Sequence, residues 1–235
     1  VAAGADVLEV GVPFSDPMSE GLVIQLGHER ALANGMTLRG VLEIITDFRR
    51  DNTHTPVIMM GYANPIERFG YDAFAEASSV AGVDGLITVD LPPEEVGRLD
   101  HALIQVGIDN IFLISPTTEN ERIETIVARA RGFIYYVAVK GVTGSGQLDV
   151  NEVAQRVGVI RGMTDLPVAV GFGIKDADSA SHVAQVADAV VVGSALIDEM
   201  VRKSRADANL EEIQIHEAAV QLLKRIRSGV DSSPS

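Results

Sequence analysis

Leu8-Glu9-Val10-Gly11-Val12-Pro13-Phe14-Ser15-Asp16-Pro17-Met18-Ser19-Glu20-Gly21 is the stretch that decides how the rest of the chain is read. Val7 to Val12 is a β-branched and aliphatic run that stops at a proline, the pattern of a buried parallel strand. Glu9 lies inside it. A carboxylate there is costly unless it is paired, hydrated in a cleft or protonated, so its pKa is expected to move upward, which suits proton transfer. Pro13 and Pro17 then fix two φ angles and Gly21 frees a third, so the loop is expected to be stiff and to hold Glu20 facing Glu9. The plainer alternative is a barrel-layer glutamate with a satisfied partner. Two prolines interleaved with Ser15, Asp16, Ser19 and Glu20 favour a shaped polar surface instead.

Outward from that stretch, apolar runs of four to seven residues alternate with amphipathic stretches of ten to fifteen, the sign of repeated βα units around a parallel sheet. Seven strands are predicted: Val7 to Val12, Pro56 to Tyr62, Gly85 to Asp90, Asn110 to Ser115, Phe133 to Val139, Pro167 to Gly173 and Ala189 to Ser194. Helices are expected near Leu38 to Arg50, Tyr71 to Ala81, Pro93 to Val106, Asn120 to Arg131, Val150 to Met163 and Asp178 to Val186, with a last one in Asn209 to Ser228. In the fourth of these, Ile123, Ile126, Val127 and Ala130 recur at i, i+3, i+4 and i+7 and give one buried stripe. Pro92-Pro93-Glu94-Glu95 is expected to open the helix before it. The expected fold is α/β, a TIM (β/α)8 barrel in one domain over residues 1–235, with 228–235 a frayed polar end. Seven units and an opening that resembles the end of a helix lead us to expect that the first strand and N-terminal helices are missing. An open doubly wound sheet would call for a glycine-rich loop after its first strand, which Pro13-Phe14-Ser15-Asp16 is not.

Composition narrows the function. With 46% hydrophobic residues, 5% aromatics and no Trp, the core is built from aliphatic side chains. No apolar run approaches the roughly 20 residues that span a bilayer. The absence of Cys excludes disulfides, thiol nucleophiles and cysteine-based zinc sites, and a cytoplasmic location is expected. A net charge of -14 argues against a nucleic-acid groove and against adsorption to anionic membranes. His28, His54, His101, His182 and His216 show no metal-ligand spacing, so no metal is expected. Ser15, Ser19 and Ser194 lack a nucleophile elbow.

In parallel barrels, phosphate often sits in the loops after the last two strands. Gly171-Phe172-Gly173 and Gly193-Ser194 stand there, offering close backbone approach, a hydroxyl and a helix N-terminus to an oxyanion. Gly141-Val142-Thr143-Gly144-Ser145-Gly146 follows the strand with Tyr135 and Tyr136 and reads as a mobile lid or a plain flexible connection.

Taken together, Leu8 to Pro17, Gly61-Tyr62-Ala63-Asn64-Pro65, Val89 to Glu95, Gly141-Val142-Thr143-Gly144, Gly171-Phe172-Gly173 and Gly193-Ser194-Ala195 resemble the tryptophan synthase α subunit family along essentially the whole chain. The resemblance implies a TIM-barrel lyase of tryptophan biosynthesis that cleaves indole-3-glycerol phosphate to indole and glyceraldehyde 3-phosphate. It places the general acid/base at Glu9 and the carboxylate that steadies the indole N–H at Glu20, with Tyr135 beside the substrate. It places Phe172, Thr143, Tyr62 and Asp90 in the substrate pocket, and phosphate at Gly144, Gly173, Gly193 and Ser194. It also implies an α2β2 heterotetramer with a β subunit that carries pyridoxal phosphate, none being held by this chain. Phe14, Ser15, Asp16 and Asn64 would meet that partner. Glu20 stands where the family has aspartate, and Ser19 and Leu22 where it often has alanine and proline. The extra methylene sets the carboxylate back by about 1 Å, a displacement that can cost about 100-fold in rate. The alternatives are an impaired α-type subunit acting mainly on its β partner, and a stand-alone indole-releasing lyase.

Overall fold

The computed structural model describes residues 1–138, 150–171, 173–206 and 211–233. They fall into two compact units, one made of Val1, Asp6–Leu113 and Thr125–Gly132, the other of Ala2–Ala5, Ile114–Glu124 and Phe133–Ser235.

In the first unit, β1 (Leu8–Gly11), β2 (Val57–Gly61), β3 (Gly85–Thr88) and β4 (Asp109–Ile114, whose last residue belongs to the other unit) form a parallel sheet in sequence order. Glu9 stands beside Ile58, and Ile58 beside Gly85, so the three share one face. A Cβ at Gly85 would come within 2.7 Å of the Ile58 Cδ1 and 2.8 Å of the Ile111 Cδ1, so any side chain there must push both aside. The helices of this unit are α1 (Leu22–Ala33), α2 (Leu38–Arg49), α3 (Ala63–Phe69), α4 (Tyr71–Ala81) and α5 (Gly97–Gln105). Thr37 caps α2 by accepting the Gly40 N–H at 3.2 Å, and the helix buries Val41, Leu42 and Ile45. The Asp84 carboxylate accepts the Val57 N–H at 2.7 Å and a guanidinium N–H of Arg49 at 2.5 Å, tying α2 and β3 to the start of β2.

The helix α6 (Asn120–Val127) buries Ile123 and Ile126. In the second unit, β5 (Ile134–Val137), β6 (Val168–Gly171) and β7 (Ala189–Val191) are again parallel and in order, with α7 (Val150–Arg161), α8 (Ala177–Ala184), α9 (Ser194–Ala206) and α10 (Glu212–Asp231). Here Asp188 accepts the Val168 N–H at 2.8 Å and an Arg161 guanidinium N–H at 2.8 Å, the same fastening as in the first unit. α8 opens on a capping box made by Asp176 and Ser179. α10 lies close against it, since a Cβ on Gly229 would stand 2.8 Å from the Ala177 Cα.

The seven expected strands and the expected helices are all present, with ends moved by a few residues. Five expectations need correction. The end expected to fray from 228 is helical as far as Asp231, with Gly229 buried. β1 is not buried: Leu8 and Val10 are half-buried and Glu9 and Gly11 exposed, because among the described residues β1 has β2 as its one sheet neighbour. Pro92 to Glu95 makes a turn, with the Pro92 carbonyl accepting the Glu95 N–H, and α5 starts at Gly97. Residues after Val127 leave the helix, and the Arg131 N–H bonds to the Asn110 carbonyl. α1, α3 and α9 are helices that the periodicity did not single out. α1 buries none of its residues and so carries no apolar stripe to read. α3 has Pro65 in its first turn, where proline is tolerated but reads as a break.

Candidate active site

The first unit gathers its polar chemistry at the C-terminal end of β1. Glu9 keeps one side open to water while protein atoms replace much of the rest of its hydration. That desolvation, with the Glu20 carboxylate adding repulsion, pushes its carboxyl up to about 7. It can therefore both hold and release a proton near neutrality. Glu20 is half-buried, and desolvation raises it as well. Glu20 stands near enough to Glu9 for the two carboxylates to repel each other.

The loop that brings Glu20 there is held at several points. Val12 N–H donates to the Met60 carbonyl at 2.8 Å and so continues the pairing of β1 with β2. Inside the loop, Met18 N–H donates to the Asp16 carbonyl at 2.8 Å and Glu20 N–H to the Pro17 carbonyl at 3.1 Å. Outside it, the Phe14 N–H donates to His28 Nδ1 at 2.9 Å, and the Ser19 N–H to the Tyr62 hydroxyl at 3.2 Å. The Gln25 side chain donates to the Glu20 carbonyl at 2.8 Å. Tyr62, buried to 1% exposure, also packs its ring 5.3 Å from that of Phe14. Burial raises the Tyr62 phenol, so it stays protonated and neutral under the loop. Tyr62 thus acts on the loop as a support. Asp90 is exposed, and its carboxylate accepts the Ala63 N–H at 2.7 Å, capping α3 from outside. This fixes the turn that carries the exposed Asn64. Ser15 donates to the Asp16 carboxylate at 2.6 Å, and both face solvent beside a half-buried Phe14.

In the second unit, Tyr135 is half-buried on β5, and Gly171 makes room for its ring: a Cβ there would come within 2.8 Å of the Tyr135 Cζ. Gly173 takes φ +80°, a conformation that favours glycine, and is exposed. Gly193 and Ser194 are exposed at the start of α9, and the Gly193 carbonyl accepts the Leu196 N–H at 3.0 Å. Ahead of that bond, the Ser194 and Ala195 N–H groups open α9, where the helix dipole suits an anion. Lys175, two residues after Gly173, and Ala195, next to Ser194, line one open cavity of 800 Å³. Thr143, Gly144 and Phe172 lie outside the described residues.

Sequence reading missed two groups in the first unit. His28 was weighed as a metal ligand, and Gln25 was not considered. The available signal was position: both sit in the first two turns of a helix that begins directly after the carboxylate loop. Among the described residues, no group of three or more His, Cys, Asp or Glu is placed to hold a metal ion, and no helix is long and apolar enough to cross a membrane.

Known proteins give the same direction. The family model described as tryptophan synthase alpha chain matches residues 1–227. The tryptophan synthase alpha chain of Bordetella parapertussis is 52% identical over 232 residues, covering 98% of this chain and 81% of that protein. That of Alkalilimnicola ehrlichii is 56% identical over 200 residues, covering 85% and 73%. Among solved structures, the alpha subunit from Legionella pneumophila is 43% identical with a TM-score of 0.88, covering 98% of this chain and 83% of that one. A chain of the tryptophan synthase complex from Pyrococcus furiosus is 32% identical with a TM-score of 0.82, covering 95% and 87%.

Proposed function

Because the chain belongs to the tryptophan synthase alpha chain family, and is thus a TIM-barrel lyase of tryptophan biosynthesis, we propose that Glu9 is the proton-transferring group of its reaction. That reaction is the retro-aldol cleavage of indole-3-glycerol phosphate to indole and glyceraldehyde 3-phosphate. The observation that carries the assignment is a carboxyl raised to about 7 with a second carboxylate next to it.

The chemistry asks for two proton movements. Carbon 3 of the indole gains a proton, which makes that carbon a leaving group, and the adjacent glycerol hydroxyl loses one as the carbon–carbon bond breaks and the aldehyde forms. A carboxyl near neutrality serves both, giving a proton and taking one back, so it ends the cycle as it began. In its anionic form, Glu20 stabilises positive charge that develops on the indole N–H. Tyr135 contacts the substrate, with Phe172, Thr143, Tyr62 and Asp90 shaping the pocket. Gly173, Gly193 and Ser194, with Gly144, hold the phosphate through backbone N–H groups and a hydroxyl.

Phe14, Ser15, Asp16 and Asn64 are proposed to meet a β subunit in an α2β2 assembly located in the cytoplasm. Pyridoxal phosphate belongs to that partner. Incubating the chain with indole-3-glycerol phosphate, alone and with a tryptophan synthase β subunit, should release indole faster with the partner present. No indole from either mixture would remove the reading. Glu20 favours a second reading, in which the chain binds and activates the β subunit with little turnover of its own; Glu20→Asp should then raise indole release.

A further inference from the structure

We propose that His28 is a positioning residue for the cleavage: its imidazole pins the front of the loop whose far end presents Glu20. The inference rests on the assignment of Glu9 and Glu20 above.

The ring nitrogen Nδ1 accepts the Phe14 N–H at 2.9 Å. A nitrogen that accepts an N–H carries no proton, so the neutral ring bears its hydrogen on Nε2. The back of the loop has two other side-chain anchors, the Tyr62 hydroxyl on Ser19 and the Gln25 amide on Glu20. Between Val12, where sheet pairing ends, and Ser19, the Tyr62 ring packs on Phe14, and the His28 bond is the side-chain hydrogen bond from outside the loop found among the described residues. His28 therefore holds the front of the segment through one hydrogen bond.

Core packing does not account for the residue, since α1 buries none of its side chains. Without His28, the half-buried Phe14 N–H loses its acceptor and the loop front must turn toward water to find another. A shift of about 1 Å at Glu20 can cost about 100-fold. The loss should fall on kcat, because substrate affinity is carried by the phosphate contacts of the second unit.

Amide exchange and kinetics on the whole chain test this. In His28→Leu, exchange at Phe14 should quicken by about tenfold, as expected for one lost hydrogen bond, and kcat should fall by about 10- to 100-fold with KM little changed. His28→Asn, whose Oδ1 occupies the place of Nδ1, should restore most of the protection and of kcat. The imidazole 15N shifts of the wild-type chain should show the Nε2–H form. Unchanged exchange and kcat in His28→Leu, or an equal loss in both variants, overturns the proposal. If the wild-type chain releases no indole with its partner, the catalytic assignment fails by itself, and exchange at Phe14 still decides whether His28 pins the loop.

Discussion

In the proposed reaction Glu9 moves the protons, and its raised pKa follows from place more than from residue type. Replacing it by Gln keeps the shape and removes the titrating proton, so Glu9→Gln should lower indole release by about 10² to 10⁴-fold, the range general acid/base groups contribute, as read from steady-state kcat. The raised pKa also has a sign in stability. Folding favours the protonated form, so the stabilising contribution is full below the unfolded value of 4.5 and disappears as pH climbs through about 7. Urea midpoints should therefore show Glu9→Gln gaining on the wild type between pH 4.5 and pH 8, and an unchanged difference would contradict the shift. Tyr62 invites a milder test. Tyr62→Phe removes the acceptor for Ser19 and should cost about 1 kcal/mol, with faster amide exchange at Ser19.

At the scale of elements, alternation of apolar and amphipathic runs was enough to find the seven strands and most of the helices, since each strand is short, aliphatic and bounded. What escaped had a physical cause in each case. α1 turns no apolar stripe to a neighbour, α3 carries Pro65, and α9 begins at the residues taken for a phosphate turn. The turn at Pro92 to Glu95 misled because proline and acidic residues suit a first helical turn and a free turn alike. The carboxylates and the loop glycines were legible because their types are costly or unusual where they stand. The pinning by His28 was not, because a hydrogen bond to a backbone N–H 14 residues away leaves no pattern in the sequence. Gly85 offers a test at this scale. Gly85→Ala forces its methyl against Ile58 and Ile111, and overpacking of this kind should cost about 1 to 3 kcal/mol in denaturant unfolding.

For the whole molecule, net charge sets a condition on how the substrate arrives. At -14, the chain repels a phosphorylated molecule over distances longer than any one contact. Salt should therefore raise kcat/KM modestly as ionic strength approaches about 0.15 M, where the screening length is about 8 Å. A fall over the same range would mean that the local field at the phosphate groups outweighs the global one.

Asp84 and Asp188 each gather an amide and a guanidinium where a strand begins, Val57 in one case and Val168 in the other. The loop that carries Glu20 follows the end of β1, and Gly193 and Ser194 follow the end of β7. In each unit the moorings lie where strands begin, so a side chain beyond a strand's end, as at position 20, can change while they go on holding.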